Sequence, residues 1–428
     1  MKSNLLNATS LAAISCALLA AASGQAFADD QPAAPPAAWA DTIAWSGSIE
    51  VGASVNDNDP HDGINFGQAF TDRADSVYLN QLLLEVERDL DPKNPNFDVG
   101  FKLQGMYGSD ARYTHFLGEL DKALKDREQF DIVEADLSFF LPILSDDGVN
   151  LKVGQYPTPL GYEVIGAAGN PLYSHSYIFQ WGLPYKHTGA YATWHVNDTV
   201  DVYLGADTGV NTSIGKPGDD NDSEAMLGGV GLNNLLDGKL TLLALAHIGA
   251  ENPRTVPEHN NTVRQFYDGI ATYKISDALT WTTEFNYVRD DFFHATAEGI
   301  ATYLSYTFND QITFQGRAEV FRDDDGFFVA AFPNSLDPVK AELGQSNTSF
   351  NFGKETYTEF TFGVNYKPPG LPDIFSGTVI RPEVRYDFAS GGNNGSKPFG
   401  SPVTLSNGQF SGDKSDQFTA AVDLVVPF

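Results

Sequence analysis

The sequence is poor in cysteine, in basic residues and in long apolar runs. Its single cysteine, Cys16, lies so near the start that a chain processed after residue 28 has no disulfide and no thiolate metal ligand. Lys and Arg number 26 against 56 Asp and Glu, and this net charge of −30 argues against nucleic acid and anionic membrane surfaces as partners. After residue 28 no stretch reaches 18 consecutive apolar residues, which excludes a transmembrane helix.

The first 28 residues have the layout of a secretory signal peptide. Lys2 precedes an apolar run over residues 11–22, and Ala26-Phe27-Ala28 offers a cleavage site between small residues. The alternative is lipoprotein processing at Cys16, which the absence of a leucine three residues before it disfavours. We predict a signal peptide over residues 1–28, a Pro/Ala-rich periplasmic lead over 29–42, and one domain over 43–428.

Aromatic and apolar residues are abundant. They make up 12% and 42% of the chain, which is too much for a disordered acidic chain. From residue 43 onward, segments of about ten residues alternate apolar and polar positions and end at Gly, Asn, Asp or Pro, as in a membrane β-barrel. The sixteen predicted strands are 43–56, 77–88, 97–109, 130–141, 149–157, 186–197, 200–209, 225–234, 240–250, 263–275, 279–290, 298–309, 311–322, 354–367, 378–389 and 416–428.

The connections between these segments alternate in length. Links after even-numbered segments are short, as at 198–199, 276–278 and Asp310, whereas most links after odd-numbered segments are long, as at 323–353. Short turns on one rim and long loops on the other are typical of an outer-membrane barrel. A soluble β-sandwich or propeller is the alternative, but it has no reason to sort its loops in this way. The fold predicted is all-β: an antiparallel transmembrane barrel with short periplasmic turns and long extracellular loops.

Each predicted strand has one apolar and one polar face. Between residues 279 and 289 the apolar side chains, such as Trp281 and Phe285, alternate with polar ones, such as Thr282 and Glu284. Sixteen strands enclose a lumen too wide for side chains to fill, so the polar face predicts a water-filled interior. A charge facing lipid would cost a few kcal/mol, which assigns the charges on the polar face of the strands to the lumen. The pore-lining candidates on the strands are Lys102, Glu134, Asp136, Lys152, His187, Arg317, Glu319, Arg381, Glu383 and Arg385.

The segment from residue 156 to 189 differs from the acidic loops. It is rich in Gly and aromatic residues and carries little charge beyond Glu163 and Lys186, so we expect it to fold into the lumen, with Glu163 as a further pore-lining candidate. The segment and its flanks also contain a motif made up of Gly154, Tyr156, Pro159, Gly161, Glu163, Asn170, Ser174, Ser176, Pro184, His187 and Gly189. This motif resembles that of the putative beta-barrel porin-2 (OmpL-like) family of outer-membrane proteins.

That resemblance implies a porin in the bacterial outer membrane, in contact with lipid, lipopolysaccharide and small solutes, and by analogy a homotrimer. The expected function is passive diffusion of small polar or charged solutes. A barrel closed by its loops that acts as a surface adhesin or anchor is the alternative, and an outer-membrane hydrolase comes third.

No catalytic or metal motif stands out. His175 and His187 are not in an HExxH or CxxC spacing, and no GxSxG elbow is present. We predict no enzyme activity, no cofactor and no metal site. The acidic clusters at 57–63, 218–222 and 323–326 are expected to be solvated loop tips, with cation bridging to lipopolysaccharide as the alternative.

The chain ends on an amphipathic strand whose last residue is Phe428. Apolar residues at every second position followed by a terminal aromatic resemble the signal read by the outer-membrane assembly machinery, which we therefore expect as a partner.

Overall fold

The computed structural model describes residues 39–114, 116, 120, 127–213, 223–252, 260–329, 354–392, 396–404 and 410–428. The predicted signal peptide, most of the predicted lead and the acidic cluster at 218–222 lie outside these ranges. Within them, sixteen long strands and one short hairpin are present. They are β1 (Ala44–Asn56), β2 (Ser76–Arg88), β3 (Asp98–Gly108), β4 (Gln129–Leu141), β5 (Val149–Pro157), β6 (Lys186–His195), β7 (Val200–Asp207), β8 (Ala225–Asn234), β9 (Leu240–Gly249), β10 (Arg264–Lys274), β11 (Leu279–Asp290), β12 (Ala295–Thr307), β13 (Ile312–Asp323), β14 (Glu355–Tyr366), β15 (Val379–Ser390), the hairpin β16 (Val403–Thr404) and β17 (Phe410–Ser411), and β18 (Asp416–Pro427).

The sixteen long strands form one closed antiparallel barrel. Each pairs with its neighbours in chain order, and β18 pairs with both β15 and β1. Phe428 completes the closure, because its N–H donates to the Gly47 carbonyl and its carbonyl accepts the Gly47 N–H, both at 2.9 Å. The predicted fold class and all sixteen predicted strands are confirmed.

The two rims differ as predicted. The links after β2, β4, β6, β8, β10, β12 and β14 have between four and twelve residues, whereas the links on the other rim are longer. The exception is the four-residue link 291–294 between β11 and β12, which joins two strands on the long-loop rim directly. We refer to this rim as the outer rim.

Short helical turns occur in the connections and before β1. They are Trp39–Thr42, Ala111–Thr114, Ala167–Gly169, Ile178–Gly182, Leu235–Gly238 and Asp373–Phe375. Among the residues that the structure describes, no helix has the length and apolarity needed to cross a membrane.

Strand alternation separates an apolar outer face from a polar interior. On β14, Phe360 and Phe362 are more than half exposed on the outside, whereas Glu359 and Thr361 between them are buried inside. Trp45 on β1 also lies on the outer face and is 80% exposed. Large apolar side chains at such exposure would be unfavourable in water, and they belong in a hydrocarbon environment.

A β-bulge on β2 adds polar groups to the interior. The β1–β2 register shifts so that Asn80 is the extra residue, and both Asn80 and Gln81 are buried within the barrel. Their side-chain amides donate to the carboxylate of Asp110 at 3.1 and 2.9 Å. The Gln81 amide also donates to the carbonyl of Ile165 at 2.7 Å, which ties the connection between β5 and β6 to the wall.

Candidate functional site

The connection between β5 and β6, residues 158–185, crosses the barrel interior and is named the inserted loop. The N–H groups of Tyr177 and Ile178 donate to the carboxylate of Glu319 at 2.6 and 2.7 Å. Glu319 lies on β13, eight strands from β5 around the barrel. The loop therefore reaches the opposite wall, which confirms the prediction that it folds into the lumen.

Inward carboxylates hold the loop by its backbone N–H groups. Glu383 on β15 accepts the N–H of Tyr173 at 2.9 Å and the N–H of Ser174 at 3.1 Å. Glu319 binds two successive N–H groups in the same way further along the loop. Irregular backbone inside a barrel must have its hydrogen bonds satisfied, and charged acceptors make the stronger bonds.

Inward arginines hold the loop by its carbonyl groups. Arg381 donates to the carbonyls of Ala167 at 2.9 Å and Asn170 at 2.8 Å. Arg317 and Arg385 each donate to one further loop carbonyl, at 2.7 and 2.6 Å. We name the loop-binding charges of β13 and β15 the anchoring wall: Arg317, Glu319, Arg381, Glu383 and Arg385.

Glu163 is the charged residue of the loop that pairs with this wall. Its carboxylate lies 2.8 Å from Arg317 Nη1 and 2.8 Å from His175 Nδ1, and it accepts the N–H of Ser176 and the hydroxyl of Tyr303. Burial alone would raise the pKa of Glu163. The Arg317 guanidinium and these hydrogen bonds more than offset the burial and lower the pKa to about 2, so Glu163 is ionised at neutral pH.

Partner carboxylates neutralise the arginines of the anchoring wall. Arg317 Nε lies 2.6 Å from Glu359, Arg385 Nη2 lies 2.7 Å from Asp387, and Arg381 contacts Asp423. These three guanidinium side chains are no more than 4% exposed. The wall residues and Glu163 were predicted to line the pore. They do face the interior, but the loop covers them, and their contact with solute stays a prediction.

A second set of inward charges is more accessible, and we name it the charge ladder: Glu85, Glu87, Lys102, Glu134 and Lys152, on β2 to β5. Lys102 Nζ lies 3.0 Å from Glu85 and 2.9 Å from Glu87, and Lys152 Nζ lies 2.5 Å from Glu134. The Lys102 side chain is 25% exposed and that of Lys152 is 17% exposed.

The last two predicted pore-lining residues lie outside both sets. The Asp136 carboxylate is fully buried at 3.5 Å from Lys152 Nζ. His187, on β6, is also fully buried, and its Nε2 lies 3.0 Å from the hydroxyl of Thr158 where the loop begins. Among the described residues, His187 belongs to the group Asp207, His187 and His247, whose ligand atoms lie within 4.8 Å of one another.

Several interior residues were missed by sequence reasoning. Asp268 on β10 accepts the N–H of Gly161 at 3.1 Å, and Glu50 on β1 contacts Arg381. The alternation of apolar and polar positions along β1 and β10 could have predicted that Glu50 and Asp268 face the interior. The first outer connection also packs on the loop: Trp181 donates to the carbonyl of Gly67. No pattern in the sequence indicates that contact.

A protein-family model for putative beta-barrel porin-2, OmpL-like, matches residues 42–428. The chain belongs to this family. It is a channel of the bacterial outer membrane. No curated protein sequence matches the chain.

Solved porins share the fold at low sequence identity. The anion-selective porin from Comamonas acidovorans is 11% identical, with a TM-score of 0.52 over 90% of this chain and 99% of that chain. Pseudomonas putida OprB is 10% identical, with a TM-score of 0.52 over 90% and 94% of the two chains. A further match is the outer membrane channel DcaP of Acinetobacter baumannii, which is 12% identical with a TM-score of 0.49 over 90% and 97%.

Proposed function

We propose that this porin is a non-enzymatic, passive diffusion channel for small polar or charged solutes, and that solutes pass along the charge ladder. The proposal rests on a difference between two sets of inward charges: the inserted loop buries one set and leaves the other partly exposed. The inserted loop is bound against β13 and β15, whereas Lys102 and Lys152 on the other side of the interior keep partly exposed side chains. A solute would meet the ladder and not the anchoring wall.

The ladder favours cations over anions. It places three carboxylates, Glu85, Glu87 and Glu134, against the two ammonium groups of Lys102 and Lys152. Fixed charge at the narrow part of a pore decides ion selectivity, and a net negative ladder attracts cations. The anion selectivity of the Comamonas porin is a property of that protein.

Planar bilayer recordings test the proposal. The folded protein is expected to form open channels, and its reversal potential in a KCl gradient should show K⁺ preferred over Cl⁻. The double substitution Glu85→Gln and Glu87→Gln should reduce that preference. Glu298→Gln is the matched control, because Glu298 is an exposed carboxylate on β12. Absence of conductance from folded protein would overturn the channel proposal, and Cl⁻ preference would overturn the role of the ladder.

A closed barrel that serves as a surface anchor or adhesin is the second candidate function. The density of loop contacts favours it, because Arg317, Glu319, Arg381, Glu383 and Arg385 are all buried at the anchoring wall. Folded protein that carries no current but binds a surface would support this alternative.

The proposed assembly is a homotrimer in contact with outer-membrane lipid and lipopolysaccharide. Insertion by the assembly machinery through the strand ending in Phe428 is part of the same proposal. Mass photometry in detergent would measure the assembly, and a monomeric mass would contradict the trimer.

A further inference from the structure

Two histidines and an aspartate converge inside the barrel near the outer rim. His187 is the second residue of β6, Asp207 is the last of β7, and His247 lies near the end of β9. His247 Nε2 lies 3.0 and 3.1 Å from the two carboxylate oxygens of Asp207, and His187 Nδ1 lies 3.5 Å from Asp207 Oδ2. All three side chains are fully buried.

Small residues on the neighbouring strands let these side chains meet. Ala225 on β8 pairs with Asp207 on β7 and with Gly249 on β9, so β8 presents only a methyl group beside Asp207. Gly189 on β6 pairs with Asp207, and a Cβ atom at Gly189 would lie 2.7 Å from the Asp207 Cβ. The position therefore requires glycine for close approach.

Both histidines keep a ring nitrogen without a hydrogen bond, and the one on His187 faces the carboxylate. His187 Nδ1 and His247 Nδ1 are buried and make no hydrogen bond, and His187 Nδ1 is the atom directed at Asp207. The other ring nitrogen of His187, Nε2, lies 3.0 Å from the hydroxyl of Thr158, which can accept its N–H. The Thr158 hydroxyl can also donate to Nε2, so what lies between Nδ1 and Asp207 sets the tautomer: a proton on Nδ1, or a cation bound by both atoms.

The spacing suits a metal ion with nitrogen and oxygen ligands. Around a tetrahedral Zn²⁺ with bonds of about 2.1 Å, ligand atoms lie about 3.4 Å apart. The separations from Asp207 are 3.0 Å to His247 and 3.5 Å to His187, and all three ligand atoms lie within 4.8 Å of one another. Two imidazoles and one carboxylate suit Zn²⁺ and neighbouring transition metals, whereas Ca²⁺ and Mg²⁺ prefer oxygen ligands alone.

A further carboxyl group lies beside the cluster. Glu251, just after β9, interacts electrostatically with His247 and accepts the N–H of Val210 through Oε2 at 2.8 Å, while its Oε1 makes no hydrogen bond. Arg264, which also interacts electrostatically with Glu251, is paired with Asp290 at 2.7 Å. Burial raises the pKa of Glu251 to about 7, and a cation bound nearby would favour its ionised form.

We propose that His187, Asp207 and His247 bind one divalent transition-metal ion, of the Zn²⁺ class, and thereby link β6, β7 and β9 at the outer rim. This inference is independent of the proposed diffusion function. The alternative is that these side chains share a proton in a hydrogen bond and bind no metal ion.

Zinc binding by the full purified protein in detergent tests the site. The protein is incubated with Zn²⁺, passed over a desalting column and analysed by elemental mass spectrometry. One Zn²⁺ per chain is expected for the wild type. Asp207→Asn and His247→Gln should weaken Zn²⁺ binding more than about tenfold, because loss of a second-shell partner alone costs about 10 to 100-fold. Ca²⁺ in place of Zn²⁺ should not be retained, and its retention would overturn the assignment to a transition metal.

His195→Gln is the matched control. His195 is also on β6 and lies 2.7 Å from Asp201 on β7, but it stands apart from the three side chains that converge on the proposed site. This variant should retain Zn²⁺ like the wild type. Retention of Zn²⁺ at the wild-type level by Asp207→Asn and His247→Gln, or no retention by the wild type, would overturn the proposal in favour of a shared proton.

Heat-modifiable migration on gels establishes that each variant is folded. If a variant does not fold, X-ray absorption at the zinc edge of the wild type decides the question. Scattering from two imidazole rings is expected, and a spectrum without imidazole ligands would overturn the site.

Discussion

The anchoring wall and the charge ladder contain the same types of charged side chain, but the inserted loop buries the first and leaves the second partly exposed. In both, basic and acidic side chains alternate on inward positions of neighbouring strands. Arg317 and its partners are buried under the inserted loop, whereas Lys102 and Glu87 are 25% and 23% exposed. The inserted loop makes the difference, because it supplies carbonyl and N–H groups to one wall and leaves the other accessible. Similar residue types therefore serve as structural anchors in one place and as candidate solute contacts in another.

Breaking an ion pair should therefore destabilise the protein more at the anchoring wall than at the charge ladder. Removing one partner of a buried ion pair leaves an uncompensated charge and costs about 3 to 5 kcal/mol. A partly exposed pair is worth about 0 to 1 kcal/mol. Three substitutions test this difference between the anchoring wall and the charge ladder.

Arg317→Met should have the largest effect. It leaves the buried carboxylates of Glu163 and Glu359 without their guanidinium, so the free energy of unfolding should fall by about 3 to 5 kcal/mol. Denaturant unfolding in detergent micelles measures it. Arg322→Met on the same strand is the control: Arg322 pairs with the half-exposed Asp324, and its loss should cost at most about 1 kcal/mol. Equal effects of the two substitutions would remove the distinction between buried and accessible charges.

Glu163→Gln should change the pH dependence of stability. The pKa of Glu163 is lowered to about 2 in the folded protein, whereas an unfolded glutamate titrates near about 4.3. Its ionised form therefore contributes about 3 kcal/mol above about pH 5, and this contribution is lost as the pH falls from about 4.3 towards 2. The wild type should lose more stability than Glu163→Gln between about pH 5 and pH 3, measured by thermal unfolding. Parallel curves for Glu163→Gln and the wild type would contradict the assignment.

Lys102→Gln should have the smallest effect on stability and a clear effect on ion flow. Its ion pairs with Glu85 and Glu87 are partly exposed, so the free energy of unfolding should change by no more than about 1 kcal/mol. Removing a positive charge from the ladder should increase the preference for K⁺ over Cl⁻ in bilayer recordings. Lys102→Arg keeps the charge and should retain the wild-type selectivity. A large loss of stability with unchanged selectivity would place Lys102 among the anchors.

Many of the residues that face the interior can be predicted from the sequence. The parity of β15 places Arg381, Glu383, Arg385 and Asp387 on one inward row because alternate side chains of a strand point to opposite faces. The composition of the segment 156–189 indicated a buried loop for a similar reason: aromatic side chains with little charge are unfavourable in solvent.

The sequence does not predict which side chains contact one another inside the lumen. Glu163 and Arg317 are 154 residues apart, and His187 and His247 lie on strands that are not neighbours. No local period encodes such contacts. The sequence alone determined the strand alternation, the sorting of loops by length and the sign of the inward charges, because these follow from local geometry and from the cost of charge in lipid. Which inward charges are covered and which histidines meet is seen in the folded chain alone, because the first depends on the path of the inserted loop and the second on the curvature of the closed sheet.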